Sequence, residues 1–243
     1  MAVYTHLKFD EIADFLQDYD VGELISFEGI VQGIDNTNYK ITANKNRVLT
    51  DYILTVFESR IDIEDLPFFL DFMEHCQSRG INCPAPVAGK NGEVIATILH
   101  KPASLFPFLD GHNIDPQTIT PELCAELGEK LAILHKAGQD FKPYRSNSMG
   151  LDAWTARLQK VATQPELETG PHFKDMAQRY LDEIRLLRAQ WPQFATSGVS
   201  LLPVGAIHAD LFPDNVFETN GHLNGIIDFY FTATDFLAYD LAI

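Results

Sequence analysis

Apolar and polar positions alternate along much of the first hundred residues, a pattern typical of half-buried β-strands. Residues 24–29 and 37–42 flank a turn that contains Gly33, and together they predict a β-hairpin. Residues 52–57 predict a third, more deeply buried strand. Before these strands, apolar residues at helical spacing predict a helix over 10–19. The chain is therefore expected to begin with a helix followed by an antiparallel sheet.

The pattern changes period at residues 65–79, where phenylalanines recur on one face and predict an amphipathic helix. Gly80 supplies a natural stop for it. Residues 94–99 and 103–109 then predict two more strands. We expect residues 1–108 to form one β-rich lobe with this helix inside it.

Beyond residue 109 the pattern becomes mainly helical. Three helices are predicted, over residues 121–136, 154–161 and 173–191, with a loop over 164–171. An apolar helix is expected to start within residues 239–243, with no cap or breaker after it. Residues 109–243 are thus predicted to form a second, mainly helical lobe, and the natural protein is expected to continue beyond residue 243.

The net charge of the chain limits the kinds of binding partner that are expected. The 243 residues carry a formal net charge of −16, against an ordinary apolar fraction of 46%. Nucleic acids and anionic membranes attract clusters of basic residues, so neither is expected as a partner. The three cysteines form no CxxC pair, and no secretory signal or membrane span is visible. These features predict a cytoplasmic protein with reduced thiols.

Candidate chemistry is concentrated between residues 205 and 229. Asp210 follows His208 by two residues, Asn215 follows Asp210 by five, and Asp228 ends an isoleucine-rich run. In phosphotransfer enzymes one carboxylate accepts the proton of the attacking hydroxyl, while an amide and a second carboxylate hold magnesium. The alternatives are a solvated turn at Asp210, a turn cap at Asn215 and a plain strand end at Asp228. The order and the spacing favour the phosphotransfer site.

These motifs resemble those of the aminoglycoside/choline phosphotransferase family, and within it the bacterial homoserine kinase branch. The resemblance rests on the segments 207–216, 227–231 and 239–242, and it extends to 19–22, 33–39, 65–70 and 83–86. It implies an α+β fold of the protein-kinase-like, bilobal type. Residues 1–108 would be the nucleotide-binding lobe, and residues 109–243 the mainly helical catalytic lobe, with its C-terminal helices missing.

The activity implied by this resemblance is ATP-dependent phosphorylation of the L-homoserine hydroxyl, giving O-phospho-L-homoserine for threonine biosynthesis. Asp210 would be the catalytic carboxylate, and His208 would brace its loop rather than act as the base. Asn215 and Asp228 would hold Mg²⁺. Asp240 matches a family position that supports the catalytic loop.

The resemblance also implies a nucleotide site in the amino-terminal lobe. The hairpin that covers the phosphates would use Gly29, Gly33, Asn36 and Asn38, although no P-loop sequence follows it. Glycines in a hairpin are also explained by backbone geometry alone. The adenine is expected against the connector between the lobes, where the candidates are the aromatic side chains of Phe106 and Phe108.

One position departs from the usual kinase pattern. Kinases place a lysine inside the third strand to pair with the α- and β-phosphates, whereas Thr55 occupies that place here. Arg60 follows just beyond the strand and is equally well explained as a surface charge. The homoserine kinase branch shares this lack of a base, so the departure is compatible with activity.

The acceptor site is less clearly marked. Asp214 and Asp235 are candidates for binding the substrate ammonium, and Arg145 or Asn147 for its carboxylate. Solvated charges and caps explain each of them equally well. Two other functions stay open: a kinase for choline, ethanolamine or another amino alcohol, and a nucleotide-binding pseudokinase. The oligomeric state is not indicated by the sequence.

Overall fold

The computed structural model describes most of the chain, and the described residues divide into two compact units. The first unit comprises Met1–Ala137 and Leu211–Tyr230, and the second comprises Gly138–Asp210 and Phe231–Ile243. The prediction of lobes over 1–108 and 109–243 stays a prediction. The structure describes residues 3–31, 35–59, 61–163, 171–190, 195–196, 199–200 and 202–243.

A five-stranded antiparallel sheet dominates the first unit, with strand order β1-β2-β3-β5-β4. Helix α1, Phe9–Leu16, precedes it in the chain. The predicted hairpin is confirmed, and the third strand begins four residues earlier than predicted, at Val48. The strands are β1 (Glu23–Ile30), β2 (Thr37–Lys45), β3 (Val48–Val56), β4 (Ala96–Ile98) and β5 (Lys101–Pro107).

Strict alternation along β2 explains how the sheet forms its core. Thr37, Tyr39, Ile41 and Ala43 are buried, while the residues between them are only partly covered. Because successive side chains point to opposite faces of a strand, one face of the sheet is apolar and the other carries polar groups. The apolar face shares its hydrophobic cluster with the buried residues of α1, including Ile12.

Helix α2, Leu66–Ser78, buries a second apolar group that is rich in phenylalanine. Pro67 lies in its first turn, where the missing N–H costs nothing. The helix ends before Gly80, whose φ of 87° suits a left-handed stop. Both ends of this element therefore lie within a residue of where the sequence predicted them.

A three-stranded sheet completes the first unit, in the order β11-β10-β6. The short strands β10 and β11 form an antiparallel hairpin whose outer ends lead into Asn215 and Asp228. This hairpin brings Asn215 and Asp228 together within one unit. The strands are β6 (His112–Asn113), β10 (Val216–Thr219) and β11 (His222–Ile226).

Helix α3, Pro121–Asp140, runs from the first unit into the second, where helices α4 and α5 pack together. Within the second unit, β9 pairs with β12, and residues 195–196 and 199–200 form a separate two-stranded ladder of β7 and β8. The predicted loop at 164–171 lies outside the described residues, apart from Pro171, which begins α5. The bounds are α4 (Leu151–Thr163), α5 (Pro171–Gln190), β7 (Ala195–Thr196), β8 (Val199–Ser200), β9 (Val204–Ile207) and β12 (Ala233–Phe236).

The helix predicted to start within 239–243 is not an α-helix. A 3-10 turn spans Leu237–Tyr239 instead, and the backbone N–H of Leu237 donates to the carbonyl of Pro203. The Asp240 side chain accepts hydrogen bonds from another segment, which fixes the chain in this conformation. Among the residues that the structure describes, no helix is long and apolar enough to cross a membrane.

Candidate active site

The candidate catalytic loop follows β9 in the second unit. His208 is fully buried, and its Nδ1 accepts a hydrogen bond from the backbone N–H of Asp210 at 3.3 Å. A neutral imidazole whose Nδ1 accepts carries its proton on Nε2. In this geometry His208 is hydrogen-bonded to the backbone of Asp210, and its role in bracing the loop stays a prediction.

Asp240 holds the same loop from a distant point in the chain. Its carboxylate accepts hydrogen bonds from the backbone N–H groups of His208, at 3.1 Å, and of Ala209, at 2.7 Å. Ala209 has a φ of 64°, a left-handed conformation that is unfavourable for alanine. The two charge-assisted hydrogen bonds offset that cost and fix the direction in which the chain presents Asp210.

Asn215 and Asp228 lie close in the first unit. Asn215 is buried at the end of a 3-10 turn, Pro213–Asn215, and its carbonyl accepts from the N–H of Ile227 at 3.0 Å. Asp228 has a φ of 63°, a region that Asp tolerates better than most residues. An amide and a carboxylate are hard oxygen donors of the kind that Mg²⁺ prefers. Two such ligands suit a cation that arrives with phosphate and water.

Aromatic packing fixes the two residues that follow Asp228. Phe229 is fully buried, with its ring 6.1 Å from that of Phe72. Burial raises the pKa of Tyr230 and the charge of Asp228 raises it further, while the nearby Thr55 hydroxyl only partly opposes both. The Tyr230 phenol therefore keeps its proton at neutral pH.

The hairpin residues predicted to cover the phosphates have structural roles of their own. Gly29 lies within β1, where an added Cβ would come within 2.9 Å of the Val3 side chain. Asn36 is buried, and its Oδ1 accepts from the backbone N–H of Glu58 at 3.3 Å. Gly33 and Arg60 lie outside the described residues. Contact of Gly29 and Asn36 with a nucleotide stays a prediction.

The polar face of the sheet carries Asn38 and Thr55. These residues are direct partners in the β2–β3 register, and the Thr55 hydroxyl donates to Asn38 Oδ1 at 2.7 Å. The position where kinases carry their lysine thus holds a hydrogen-bonded, uncharged side chain that is only 3% exposed.

The two aromatic residues proposed for the adenine differ in their surroundings. Phe106 is buried in β5 opposite Ile53. Phe108 is partly exposed, and the ammonium of Lys40 lies 4.3 Å from the centre of its ring. Lys40 also pairs with Asp51 at 3.0 Å. The sequence analysis missed Lys40, although it shares a strand face with Asn38.

The candidates for acceptor binding fall in different units. Asp214 is exposed in the first unit. In the second unit the Asp235 carboxylate accepts from Asn147 Nδ2 and from the N–H of Phe236, both at 2.8 Å. The Arg145 guanidinium donates to a backbone carbonyl, that of Thr232, at 3.0 Å. The structure therefore brings Asp235 and Asn147 together as hydrogen-bond partners.

The site residues thus form two groups. His208, Asp210, Asp235 and Asp240 belong to the second unit. The first unit contains the predicted metal ligands and the predicted nucleotide contacts: Gly29, Asn36, Asn38, Phe106, Phe108, Asn215 and Asp228. Within the described residues no group of three or more His, Cys, Asp or Glu side chains could hold a metal ion.

The sequence of the chain is similar to those of known phosphotransferases. A profile described as the phosphotransferase enzyme family matches residues 26–243. The whole chain is 41% identical to a homoserine kinase of Paramagnetospirillum magneticum, covering 71% of that protein. It is 43% identical to a homoserine kinase of Xanthobacter autotrophicus, covering 70% of it.

The fold is also found among solved structures. An amicoumacin kinase in complex with AMP-PNP, Ca²⁺ and Ami superposes with a TM-score of 0.73 at 16% identity. That match covers 98% of this chain and 68% of the kinase. At this identity the likeness shows the fold alone, and the α+β, protein-kinase-like fold expected from the sequence is confirmed. The profile match and the two relatives together show that the chain belongs to the phosphotransferase enzyme family.

Proposed function

We propose that this chain is a homoserine kinase, which transfers the γ-phosphoryl group of ATP to the side-chain hydroxyl of L-homoserine. The observation that carries the proposal is the identity of 41% and 43%, over the whole chain, to two proteins named homoserine kinase. The product would be O-phospho-L-homoserine, an intermediate on the way to threonine.

The geometry supports a division of labour among the proposed residues. Asp210 would orient the homoserine hydroxyl and accept its proton, from a loop braced by His208 and Asp240. Asn215 and Asp228 would hold Mg²⁺, which when bound neutralises charge on the phosphates. Asn36, Asn38 and the hairpin glycines, Gly29 and Gly33, would lie over the nucleotide, with Phe106 and Phe108 near its base.

An amino-acid acceptor also needs partners for its charged ends. Asp235 is the stronger candidate for the ammonium, because Asn147 and the N–H of Phe236 already hold its carboxylate in place. Asp214 is the second candidate, and its side chain is exposed. A cytoplasmic location suits an enzyme that consumes ATP.

One observation argues against the choline alternative. A quaternary ammonium is usually recognised by a cage of aromatic faces. Tyr230, an aromatic residue two positions after Asp228, is instead packed edge-on against Phe57 and Phe69, with centroid distances of 5.6 and 6.0 Å. The Tyr230 ring is therefore engaged in aromatic contacts within the first unit.

The test is ADP release measured on the intact protein with Mg-ATP and, in turn, L-homoserine, choline, ethanolamine and L-serine. We expect turnover on homoserine and a loss of about 10²- to 10⁴-fold in Asp210→Asn, because the variant lacks the proton acceptor. Asp182→Asn, an exposed change in the same unit, is the matched control and should be as active as the wild type.

Each outcome assigns the protein differently. Turnover only on choline, ethanolamine or L-serine would support the proposed mechanism and reject homoserine as the substrate. Nucleotide binding without turnover on any acceptor would favour a pseudokinase. Equal activity of Asp210→Asn and the wild type would reject Asp210 as the catalytic carboxylate.

A further inference from the structure

A nearly buried carboxylate just after β3 connects separate segments of the first unit. The Glu58 side chain is 11% exposed. Its Oε1 accepts hydrogen bonds from the hydroxyls of Thr5 and Thr37, and its Oε2 accepts one from the ammonium of Lys101. Because both carboxylate oxygens have partners on other segments, the Glu58 side chain is held in one orientation.

Lys101, the first residue of β5, closes this network. Its ammonium donates to Glu58 Oε2 at 2.5 Å and to the Thr5 hydroxyl at 2.7 Å. That hydroxyl in turn donates to Glu58 Oε1 at 2.6 Å, so the three side chains form a ring of hydrogen bonds. Hydrogen bonds between charged groups are about twice as strong as neutral ones. The ion pair of Lys101 and Glu58 is therefore the strongest part of the ring.

Glu58 also holds two consecutive residues at the start of β2. Asn36, which is 5% exposed, accepts from the backbone N–H of Glu58 through its Oδ1 at 3.3 Å. Thr37, the first residue of β2, is fully buried, and its hydroxyl donates to Glu58 Oε1 at 2.8 Å. The same hydroxyl oxygen accepts from the N–H groups of Tyr4 and Thr5, at 3.0 and 3.1 Å. The backbone and the side chain of Glu58 thus fix one short segment.

That segment leads directly to the polar face of the sheet. Successive side chains of a strand point to opposite faces, so fixing Thr37 on the apolar face sets the point from which Asn38 projects on the polar face. There Asn38 Oδ1 accepts from the Thr55 hydroxyl at 2.7 Å. Asn36 and Asn38, the two amides predicted to cover the phosphates, therefore lie on either side of the residue that Glu58 holds.

We propose that Glu58 and Lys101 are positioning residues, and that their ion pair fixes the start of β2 so that Asn36 and Asn38 are presented to the nucleotide phosphates. Lys101 acts through Glu58, because its ammonium is engaged by Glu58 and Thr5. This inference rests on the proposed function, since it assumes that the chain binds Mg-ATP with its phosphates at these two amides.

Loss of the ion pair should weaken binding of the phosphates and leave binding of the nucleoside unchanged. Lys101→Met removes the charge and keeps an unbranched side chain. We expect it to raise the Kd for Mg-AMP-PNP about tenfold, an effect of the size of one hydrogen bond to a charged partner. Thr37→Val, which breaks the link between Glu58 and β2 but keeps the ion pair, should raise the Kd in the same direction. Lys101→Arg, which keeps the charge and the donors, should restore wild-type affinity.

The measurement is calorimetric titration of Mg-AMP-PNP without any acceptor, with adenosine measured by competition. Lys45→Met is the matched control, because it removes an ammonium that pairs with Asp20 at the opposite end of β2, at 2.7 Å. It changes the net charge by the same amount as Lys101→Met, and its Kd should equal that of the wild type. Ile12→Val, which shortens a fully buried side chain of α1, should lower the unfolding temperature without changing the Kd.

The outcomes keep this inference apart from the proposed function. A higher Kd for Mg-AMP-PNP in Lys101→Met and Thr37→Val, with adenosine bound as in the wild type, would support the positioning role even if homoserine were not phosphorylated. Wild-type affinity in both variants would overturn it. An equal shift in Lys45→Met would assign the effect to net charge, and an equal loss of adenosine binding would assign it to the fold; either would also overturn the inference. A wild-type protein that bound no nucleotide would overturn both proposals.

Discussion

Glu58 illustrates how much of this protein depends on single side chains that link distant segments. Its carboxylate accepts hydrogen bonds from the hydroxyls of Thr5 and Thr37, at 2.6 and 2.8 Å, and from Lys101 at 2.5 Å. Its backbone N–H donates to Asn36. One residue therefore joins the amino-terminal segment to β5 and to the end of the hairpin that is proposed to cover the nucleotide.

This network makes stability depend on pH. Burial raises the pKa of Glu58, but the hydrogen bonds from Lys101, Thr5 and Thr37 outweigh it and leave the pKa below the usual 4.5. A group whose pKa is lowered by folding stabilises the protein above its unfolded value, and that contribution is lost as the pH falls through the folded value. We expect Glu58→Gln to lower the free energy of unfolding by about 1 to 3 kcal/mol at pH 7.

The measurement is chemical unfolding of both proteins across a pH series. The difference between wild type and Glu58→Gln should shrink as the pH falls below 4.5. Asp20→Asn is the control, because Asp20 pairs with Lys45 on the surface and its loss should leave stability unchanged. A difference that stayed constant with pH would assign the effect of Glu58→Gln to packing instead of charge.

At the scale of elements, the contact between α3 and β9 depends on two glycines. A Cβ at Gly138 would overlap the backbone carbonyl of Ala206, and a Cβ at Gly205 would lie 2.9 Å from the carbonyl carbon of Gly138. The helix and the strand thus approach as closely as two backbones can. Because β9 leads directly into His208 and Asp210, this contact also sets the starting point of the catalytic loop.

Gly138→Ala should therefore destabilise the protein by about 1 to 3 kcal/mol or more, since the extra methyl group forces the two backbones apart. The comparison is Gly128→Ala in the same helix, where nothing lies within 4 Å of the added Cβ. That change should stabilise the protein by about 0.5 to 1 kcal/mol, because alanine favours a helix over glycine. Urea unfolding midpoints test both, and equal effects would contradict the close-contact explanation.

At the scale of the whole molecule, charge is the dominant property. A formal net charge of −16 repels a nucleotide that is itself an anion. Thr55 adds no positive charge in the third strand, so local hydrogen bonds and a divalent cation would have to overcome a repulsive long-range field.

We expect salt to accelerate capture of the nucleotide. Raising the ionic strength from about 0.01 M to about 0.15 M shortens the screening length from about 30 Å to about 8 Å. The kcat/KM for Mg-ATP should then rise roughly two- to fivefold. The KM for homoserine, a zwitterion, serves as the internal control and should change little. A fall in kcat/KM with added NaCl would show that nearby basic groups such as Lys40 dominate the local field.

The sequence by itself determined which helices and strands form and how the candidate catalytic residues are spaced along the chain. Alternating apolar and polar residues predicted β1 and β2, and apolar residues at helical spacing predicted α2 and α3. The motif from His208 to Asp228 lies at strand ends, as its apolar flanks predicted. These features depend on neighbouring residues, so they can be inferred from local patterns. Element ends differed by a few residues, because packing against other elements decides where a helix or strand stops.

Only the tertiary structure decided which residues act together. Asp240 reaches the N–H groups of residues 31 and 32 positions away, and Lys101 meets Glu58 across 43. Thr55 donates to Asn38 Oδ1 on the neighbouring strand. No local pattern encodes such pairs, because each requires two elements to be brought together by the folding of the chain between them.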